Sequence, residues 1–164
     1  MRAFLLLLSL ILIGCAHTAY NPDPVAARTV SVYGGGGLSG GWRCVADGRF
    51  LVSESYESDG HGSYPLHRRT KTSLSPVEWS EFWRSIDALR IERWKSRYST
   101  EGMGVTICDA PGWTVDLRKG GKSFHREGEA AYPRLADPRH RTLDGEAVNR
   151  LFEIFKHYKS TPET

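Results

Sequence analysis

A glycine-rich run early in the chain carries two short patterns that are used in cofactor binding and catalysis. Gly35-x-Gly37-x-x-Gly40 has the spacing of a dinucleotide fingerprint, in which a strand leads into a helix whose N-terminus meets the pyrophosphate. Gly37-x-Ser39-x-Gly41 has the spacing of a nucleophile elbow, which also needs a helix after the turn. An extended segment and an Asp-Gly turn follow instead. We therefore predict a glycine-rich bend, with no nucleotide bound and no nucleophile at Ser39.

Histidines are the other side chains that could bind a metal or act as a general base. His61 and His67 lie in one loop region, and His125 and His140 are distant from it in sequence. A zinc site needs close pairs of ligands with Cys or carboxylate partners at recognisable spacing, and the sequence shows none. We expect surface histidines, no metal, no cofactor and no catalytic residue. A small hydrolase that uses a loop histidine with Asp or Glu stays open as an alternative.

The N-terminus has one arginine followed by an apolar run over residues 3–13. This run is too short for a transmembrane helix, which needs about 20 residues, but it fits the apolar part of a secretory signal. The run ends in Leu12-Ile13-Gly14-Cys15, which resembles the lipobox of bacterial lipoproteins. The resemblance implies that Cys15 receives a diacylglyceryl group on its sulfur and that the chain is cleaved before it.

The lipobox resemblance also sets the expected organisation of the N-terminal segment. Residues 1–14 are then a lipoprotein signal peptide, and residues 15–28 are the lipidated cysteine and a flexible tether that contains two prolines. Ala16 stands where an Asp tends to retain lipoproteins in the inner membrane. The resemblance therefore implies a bacterial cell-envelope protein, lipid-anchored in the outer membrane and facing the periplasm, with the inner membrane left as the alternative.

Two cysteines, Cys44 and Cys108, remain once Cys15 carries lipid. The lipoprotein resemblance implies an oxidising compartment, in which free thiols tend to pair, and we therefore predict a disulfide between Cys44 and Cys108. The alternative is that both pack as small, buried, apolar side chains.

The first part of the domain has the pattern of strands followed by a helix. Strands are predicted over residues 29–33, 42–46, 49–53 and 66–72. The Asp47-Gly48 pair between the second and third runs is a strong hairpin signal. Ser75 then caps a helix that begins at Pro76, with Glu78 closing a capping box.

The second part repeats this order. Strands are predicted over residues 105–108, 113–118 and 122–126. Asp144 is the expected cap of a closing helix whose apolar residues recur at helical spacing as far as Tyr158. We predict one α+β domain over residues 29–160, with a tail at 161–164. Its antiparallel sheet is built from two hairpin-rich halves, each followed by one amphipathic helix packed on the sheet.

Composition bears on the class of partner. The chain has 22 Lys+Arg and 19 Asp+Glu, a formal net charge of +3, which gives no reason to expect nucleic acid as the main partner. Aromatic residues are numerous, and four of them border glycine-rich turns or basic segments. These are the candidate partner surface, with core packing as the alternative: Trp42, Trp94, Trp113 and Tyr132.

Turn and packing motifs occur at residues 37–41 (Gly-Leu-Ser-Gly-Gly), 74–79 (Leu-Ser-x-x-Glu-Trp) and 112–133. Together they resemble poorly characterised small bacterial envelope proteins over most of residues 30–158, and this resemblance implies no catalytic residue. We predict a lipid-anchored, periplasm-facing envelope protein that works as a non-enzymatic binding or scaffold module for a protein or cell-wall partner. An envelope immunity or inhibitor protein, which would need a tight protein partner, is the main alternative.

Overall fold

A computed structural model describes residues 28–35, 40–101, 112–133, 141–142 and 145–159. Within these ranges the chain forms two sheets, two α-helices and one short 3₁₀ helix, Ile91–Arg93. The helices are α1, Pro76–Ala88, and α2, Glu146–Lys159. The strands in chain order are β1 Thr29–Gly35, β2 Gly41–Ala46, β3 Phe50–Tyr56, β4 Leu66–Ser73, β5 Arg97–Tyr98, β6 Gly112–Lys119, β7 Lys122–Glu129, β8 Tyr132–Pro133 and β9 Arg141–Thr142.

The larger sheet has seven strands in the order β4-β3-β2-β1-β6-β7-β5. Neighbouring strands are antiparallel except for β5, which pairs in parallel with β7. The fold is therefore α+β with a largely antiparallel sheet. The turn predicted at Asp47-Gly48 joins the paired strands β2 and β3, and a turn at Gly120-Gly121 joins β6 and β7. A separate pair, β8 and β9, forms the second sheet.

Helix α1 starts where its sequence says it should. The Ser75 hydroxyl accepts a hydrogen bond from the Glu78 backbone N–H at 3.3 Å, and the Glu78 carboxylate accepts one from the Ser75 N–H at 2.8 Å. Pro76 occupies the first turn, where its missing N–H costs nothing. The predicted capping box is confirmed. The apolar face of the helix is buried through Trp79, Phe82, Trp83 and Ile86.

The core lies between the two helices and one face of the sheet. Paired residues of antiparallel strands share a face, so Val32 of β1, Cys44 of β2 and Val115 of β6 line the same side. These residues belong to one buried cluster with the apolar faces of α1 and α2. The opposite face of the sheet carries polar and charged side chains. Neither described helix is long and apolar enough to cross a membrane.

The structure contains short strands that the sequence analysis does not predict. Strand β5 follows the 3₁₀ helix, and the pair β8 and β9 precedes α2. Arg28, the last residue of the expected tether, is buried and forms a 2.6 Å ion pair with Asp87 of α1. The folded part therefore includes this residue. Several predictions fall on residues outside those described: the expected signal peptide at 1–14, Cys15, Ser39, the 105–108 strand and Asp144.

Candidate binding cleft

A cleft of about 710 Å³ opens at one end of the sheet, between the ends of β1, β2 and β6 and one side of α2. Five glycines form much of its sheet side: Gly34, Gly35, Gly40, Gly41 and Gly112. At Gly34 the missing side chain makes room for the Trp42 ring, and at Gly35 and Gly40 an added Cβ would collide with the backbone of Gly41 and Tyr56. These glycines therefore allow the strand ends and Trp42 to pack closely beside the cleft.

Trp42 of β2 forms one wall of the cleft. Its indole lies against Gly34 on the neighbouring strand, where an added Cβ would collide with the ring. The indole also contacts the ring of Phe152, from α2. Gly34 and Phe152 hold the Trp42 ring in place. Trp42 is half-buried, so part of the ring remains accessible.

Tyr132 forms a second aromatic wall and is held by Trp113. The two rings are stacked with centroids 6.0 Å apart and planes 16° from parallel. The Trp113 indole lies against Gly128, where a Cβ would collide with it, and its N–H donates to the Ala131 carbonyl at 2.9 Å. Partial burial raises the pKa of the Tyr132 hydroxyl above its usual value. Tyr132 therefore presents a neutral, fixed ring to the cleft.

The outer rim of the cleft is polar. Asn149, Glu153 and Lys156 line it from α2, and Glu57 lines it from beyond the end of β3. The Lys156 ammonium donates to the Glu153 carboxylate at 2.8 Å. Sequence reasoning does not single out these α2 residues. Their spacing of four and three marks one side of the helix, but nothing local shows that this side faces the sheet end.

The four predicted partner-surface residues divide into two pairs. Trp42 and Tyr132 line the cleft and are partly accessible. Trp94 and Trp113 are instead only 3% exposed, so the core-packing alternative applies to them. The Trp94 indole N–H donates to the Leu89 carbonyl at 3.0 Å. The Trp94 and Trp113 rings pack edge to face, with their centroids 6.2 Å apart. Trp113 also lines the cleft, but it is almost fully buried there and mainly supports the Tyr132 ring.

His125 of β7 lies close to two carboxylates. Its Nδ1 lies 2.7 Å from Asp116 of β6, and its Nε2 lies 3.6 Å from Glu127. The hydrogen bond to Asp116 raises the pKa of His125 above 6.5, with Glu127 adding to the effect and slight burial opposing it. Both side chains of the closer pair are more than half exposed.

The order of side chains around His125 does not suit nucleophilic catalysis. The strand register places Ser31, Asp116 and His125 in one row across β1, β6 and β7. The carboxylate thus lies between the hydroxyl and the imidazole, and with strands about 4.8 Å apart the imidazole is two strands from the hydroxyl. A serine nucleophile needs the imidazole next to its hydroxyl. The row can hold a protonated imidazole, and it does not activate Ser31.

His61 lies in the loop between β3 and β4, whereas His67, expected in the same loop region, lies in β4. The Asp59 carboxylate accepts the backbone N–H groups of His61 at 2.8 Å and Ser63 at 3.1 Å, and these bonds lower its pKa. Asp59 therefore shapes the loop and is not directed at a ligand. His67 lies 3.3 Å from Glu57, with both side chains exposed. Neither histidine lines the cleft, and His140 lies outside the described residues.

Cys44 is buried and faces the core, and it forms no disulfide within the described residues. Its S–H donates to the Ser53 hydroxyl at 3.6 Å, and burial raises its pKa. Cys108 lies outside the described residues. The disulfide between the two stays a prediction.

Within the described ranges, no group of three His, Cys, Asp or Glu side chains is arranged to hold a metal ion. A comparison of the sequence with models of known protein families and with curated proteins finds no match. The candidate site is therefore described from the structure alone, as a cleft with two aromatic walls and a polar rim.

Proposed function

We propose that this protein is a lipid-anchored, periplasm-facing component of the bacterial envelope, and that it is a non-enzymatic binding module for a cell-wall partner. The cleft is the observation that carries the binding role. The lipobox at Cys15 and the proline-containing tether carry the anchored location. A tether of this kind would let the domain reach material that lies near the membrane surface.

The chemistry of the cleft favours a glycan of the cell wall. Sugar rings have flat C–H faces that pack on aromatic rings, and hydroxyl and acetamido groups that bond to amides and carboxylates. Trp42 and Tyr132 offer fixed, partly accessible rings. Asn149 and Glu153 offer an amide and a carboxylate at the rim. A concave site with apolar walls and a few polar groups is the usual form of a small-ligand site.

A co-sedimentation experiment tests this function. The full chain, extracted in neutral detergent, is mixed with protein-free cell-wall sacculi. We expect the wild type to sediment with the sacculi and to be released by soluble wall fragments. The double variant Asn149→Ala, Lys156→Ala should bind about tenfold more weakly, because it removes two rim groups without touching the core. Lys122→Ala, an exposed lysine at the β6–β7 turn, is the matched control and should bind normally.

Sedimentation that is absent, or equal for the two variants, would contradict the proposal. Crosslinking in the native envelope distinguishes the remaining classes. Capture of one protein with no wall material would favour a protein partner, as expected for an immunity or inhibitor protein.

The proposal includes the organisation of the sheet in two hairpin-rich halves, each followed by one helix packed on it. What supports this organisation is the element order, in which β1 to β4 precede α1 and β5 to β7 precede α2.

A further inference from the structure

Strand β4 forms one edge of the large sheet and runs for eight residues, Leu66–Ser73. Among the described strands it pairs only with β3, so the backbone groups on its outer side have no described strand beside them. The opposite edge is β5, which has two residues. A long unpaired edge is a template on which another extended segment can add a strand.

The side chains of β4 make this edge positive. The strand contains His67, Arg68, Arg69 and Lys71 and no acidic residue. In register with β3, Arg69 and Lys71 lie on the face away from the helices, and Arg68 lies on the helix side. Arg68 is exposed and has no ion pair or hydrogen bond within the described part of the chain. An added strand would therefore meet cations on both of its faces.

The neighbouring strands neutralise this charge only in part. The Glu54 carboxylate of β3 is nearly buried and lies 3.4 Å from Arg69 and 3.6 Å from Arg43. It also accepts the Tyr56 hydroxyl at 2.8 Å. One carboxylate thus faces two guanidinium groups. The Lys71 ammonium lies 3.4 Å from the centre of the Phe50 ring, a contact that leaves its charge in place.

A second copy of β4 pairs poorly with this edge in the two registers that overlap it most. Antiparallel pairing of two copies centred between Arg69 and Thr70 places Arg68 opposite Lys71. Centring on Arg69 places the two Arg69 side chains opposite each other. Like charges directly opposite across two strands destabilise the pair. Basic residues on an edge strand commonly prevent two copies of a protein from pairing edge to edge. The same positive charges attract a strand that carries acidic residues.

The start of the strand adds an apolar contact. Tyr64 and Leu66 are 43% and 50% exposed, which is high for large hydrophobic side chains. We propose that β4 accepts, by strand addition, an extended segment of another protein. This segment carries acidic residues opposite Arg68, Arg69 and Lys71 and an apolar residue near Leu66. The proposal is independent of the cleft and of the lipid anchor.

A peptide titration tests the proposal. The full chain in neutral detergent is titrated with a fluorescent peptide of about ten residues, which is long enough to span the edge. The peptide carries three glutamates at the spacing of the three cations and one leucine. We expect saturable binding that weakens as salt is added, together with slower hydrogen exchange of β4 amides. No saturable binding would overturn the proposal.

Two controls separate strand addition from simple charge attraction. A peptide of the same sequence with N-methyl groups along one backbone edge keeps its charge but cannot complete the ladder, so it should not bind. The charge reversals Arg68→Glu and Lys71→Glu together should weaken binding about tenfold. The matched reversals Arg118→Glu and Lys122→Glu, on exposed residues of the β6–β7 hairpin, should leave it unchanged. Equal binding by both peptides, or equal loss in both double variants, would overturn the proposal.

Discussion

At the residue scale, two tryptophans of the cleft hold their positions because the residues that face them have no side chain. Trp113 lies across Gly128, and Trp42 lies across Gly34. A methyl group at either glycine would occupy the volume of the indole ring. The glycines are therefore required for packing, which a pattern of glycine letters alone does not distinguish from a flexible loop.

We predict that Gly128→Ala destabilises the fold by about 1–3 kcal/mol, because the added Cβ collides with the Trp113 ring and the Ala131 carbonyl. Gly112→Ala is the matched control on the paired strand. Its Cβ would meet atoms only at 3.9 Å, so its free energy of unfolding should stay equal or rise slightly. Urea denaturation of both variants measures the difference. Equal stability of the two would contradict this account of the packing.

The pair of His125 and Asp116 makes stability depend on pH. Because the pKa of His125 in the folded protein is raised above 6.5, the folded state binds the proton more tightly than the unfolded state. The resulting stabilisation is fully present below the unfolded pKa of about 6.5, and it is lost as pH rises through the higher folded pKa. Its size is small, because both side chains are well exposed to water.

We predict that Asp116→Asn lowers the pKa of His125 towards its ordinary value and reduces this pH dependence. Glu127→Gln should lower the pKa less, because that carboxylate lies 3.6 Å away rather than 2.7 Å. NMR titration of the imidazole ring measures the pKa directly. A greater effect from Glu127→Gln than from Asp116→Asn would show that the assignment of the main partner is wrong.

At the element scale, the start of α1 rests on hydrogen bonds made by two side chains. We predict that Ser75→Ala lowers the free energy of unfolding by about 1 kcal/mol, because it leaves a backbone N–H of the first turn without its acceptor. Ser80→Ala, at an exposed position inside the same helix, should be neutral or slightly stabilising. Thermal and urea denaturation compare the two. A loss of the same size in both would exclude the capping box as the cause.

Elements fixed by neighbouring residues were predictable, and those fixed by distant pairing were not. The capping box at Ser75 and the Asp47-Gly48 turn are local signals, and the structure has both. Strand β5 has two residues and exists because it pairs in parallel with β7, a contact that leaves no local pattern. For the same reason the sequence identified Trp42 beside a glycine-rich turn but could not show that Asn149 lies across the cleft from it.

At the scale of the whole molecule, the domain is tied together at the point where the N-terminal segment enters it. The Arg28 guanidinium pairs with Asp87 of α1 and lies 4.5 Å from the centre of the Trp83 ring. Lys119 at the end of β6 contacts the same carboxylate at 2.7 Å. Asp87 thus connects the start of β1, helix α1 and the end of β6. A force applied to the N-terminal segment would act first on this cluster. In an anchored protein, the force would therefore reach the domain where three elements are joined by ion pairs.

The last prediction follows from the proposed lipid anchor. In cells, we expect the wild type to remain with membranes until detergent is added, and its mature N-terminus to be Cys15 with an added lipid mass. Each buried acyl CH₂ contributes about 0.8 kcal/mol, so several chains hold the protein firmly. Cys15→Ser should lose both the lipid mass and the cleavage before residue 15. Cys44→Ser, which changes a thiol buried in the core, should keep both. An unlipidated wild type, or identical N-termini in wild type and Cys15→Ser, would contradict the anchor, because the sulfur of Cys15 is the atom on which the lipid must be carried.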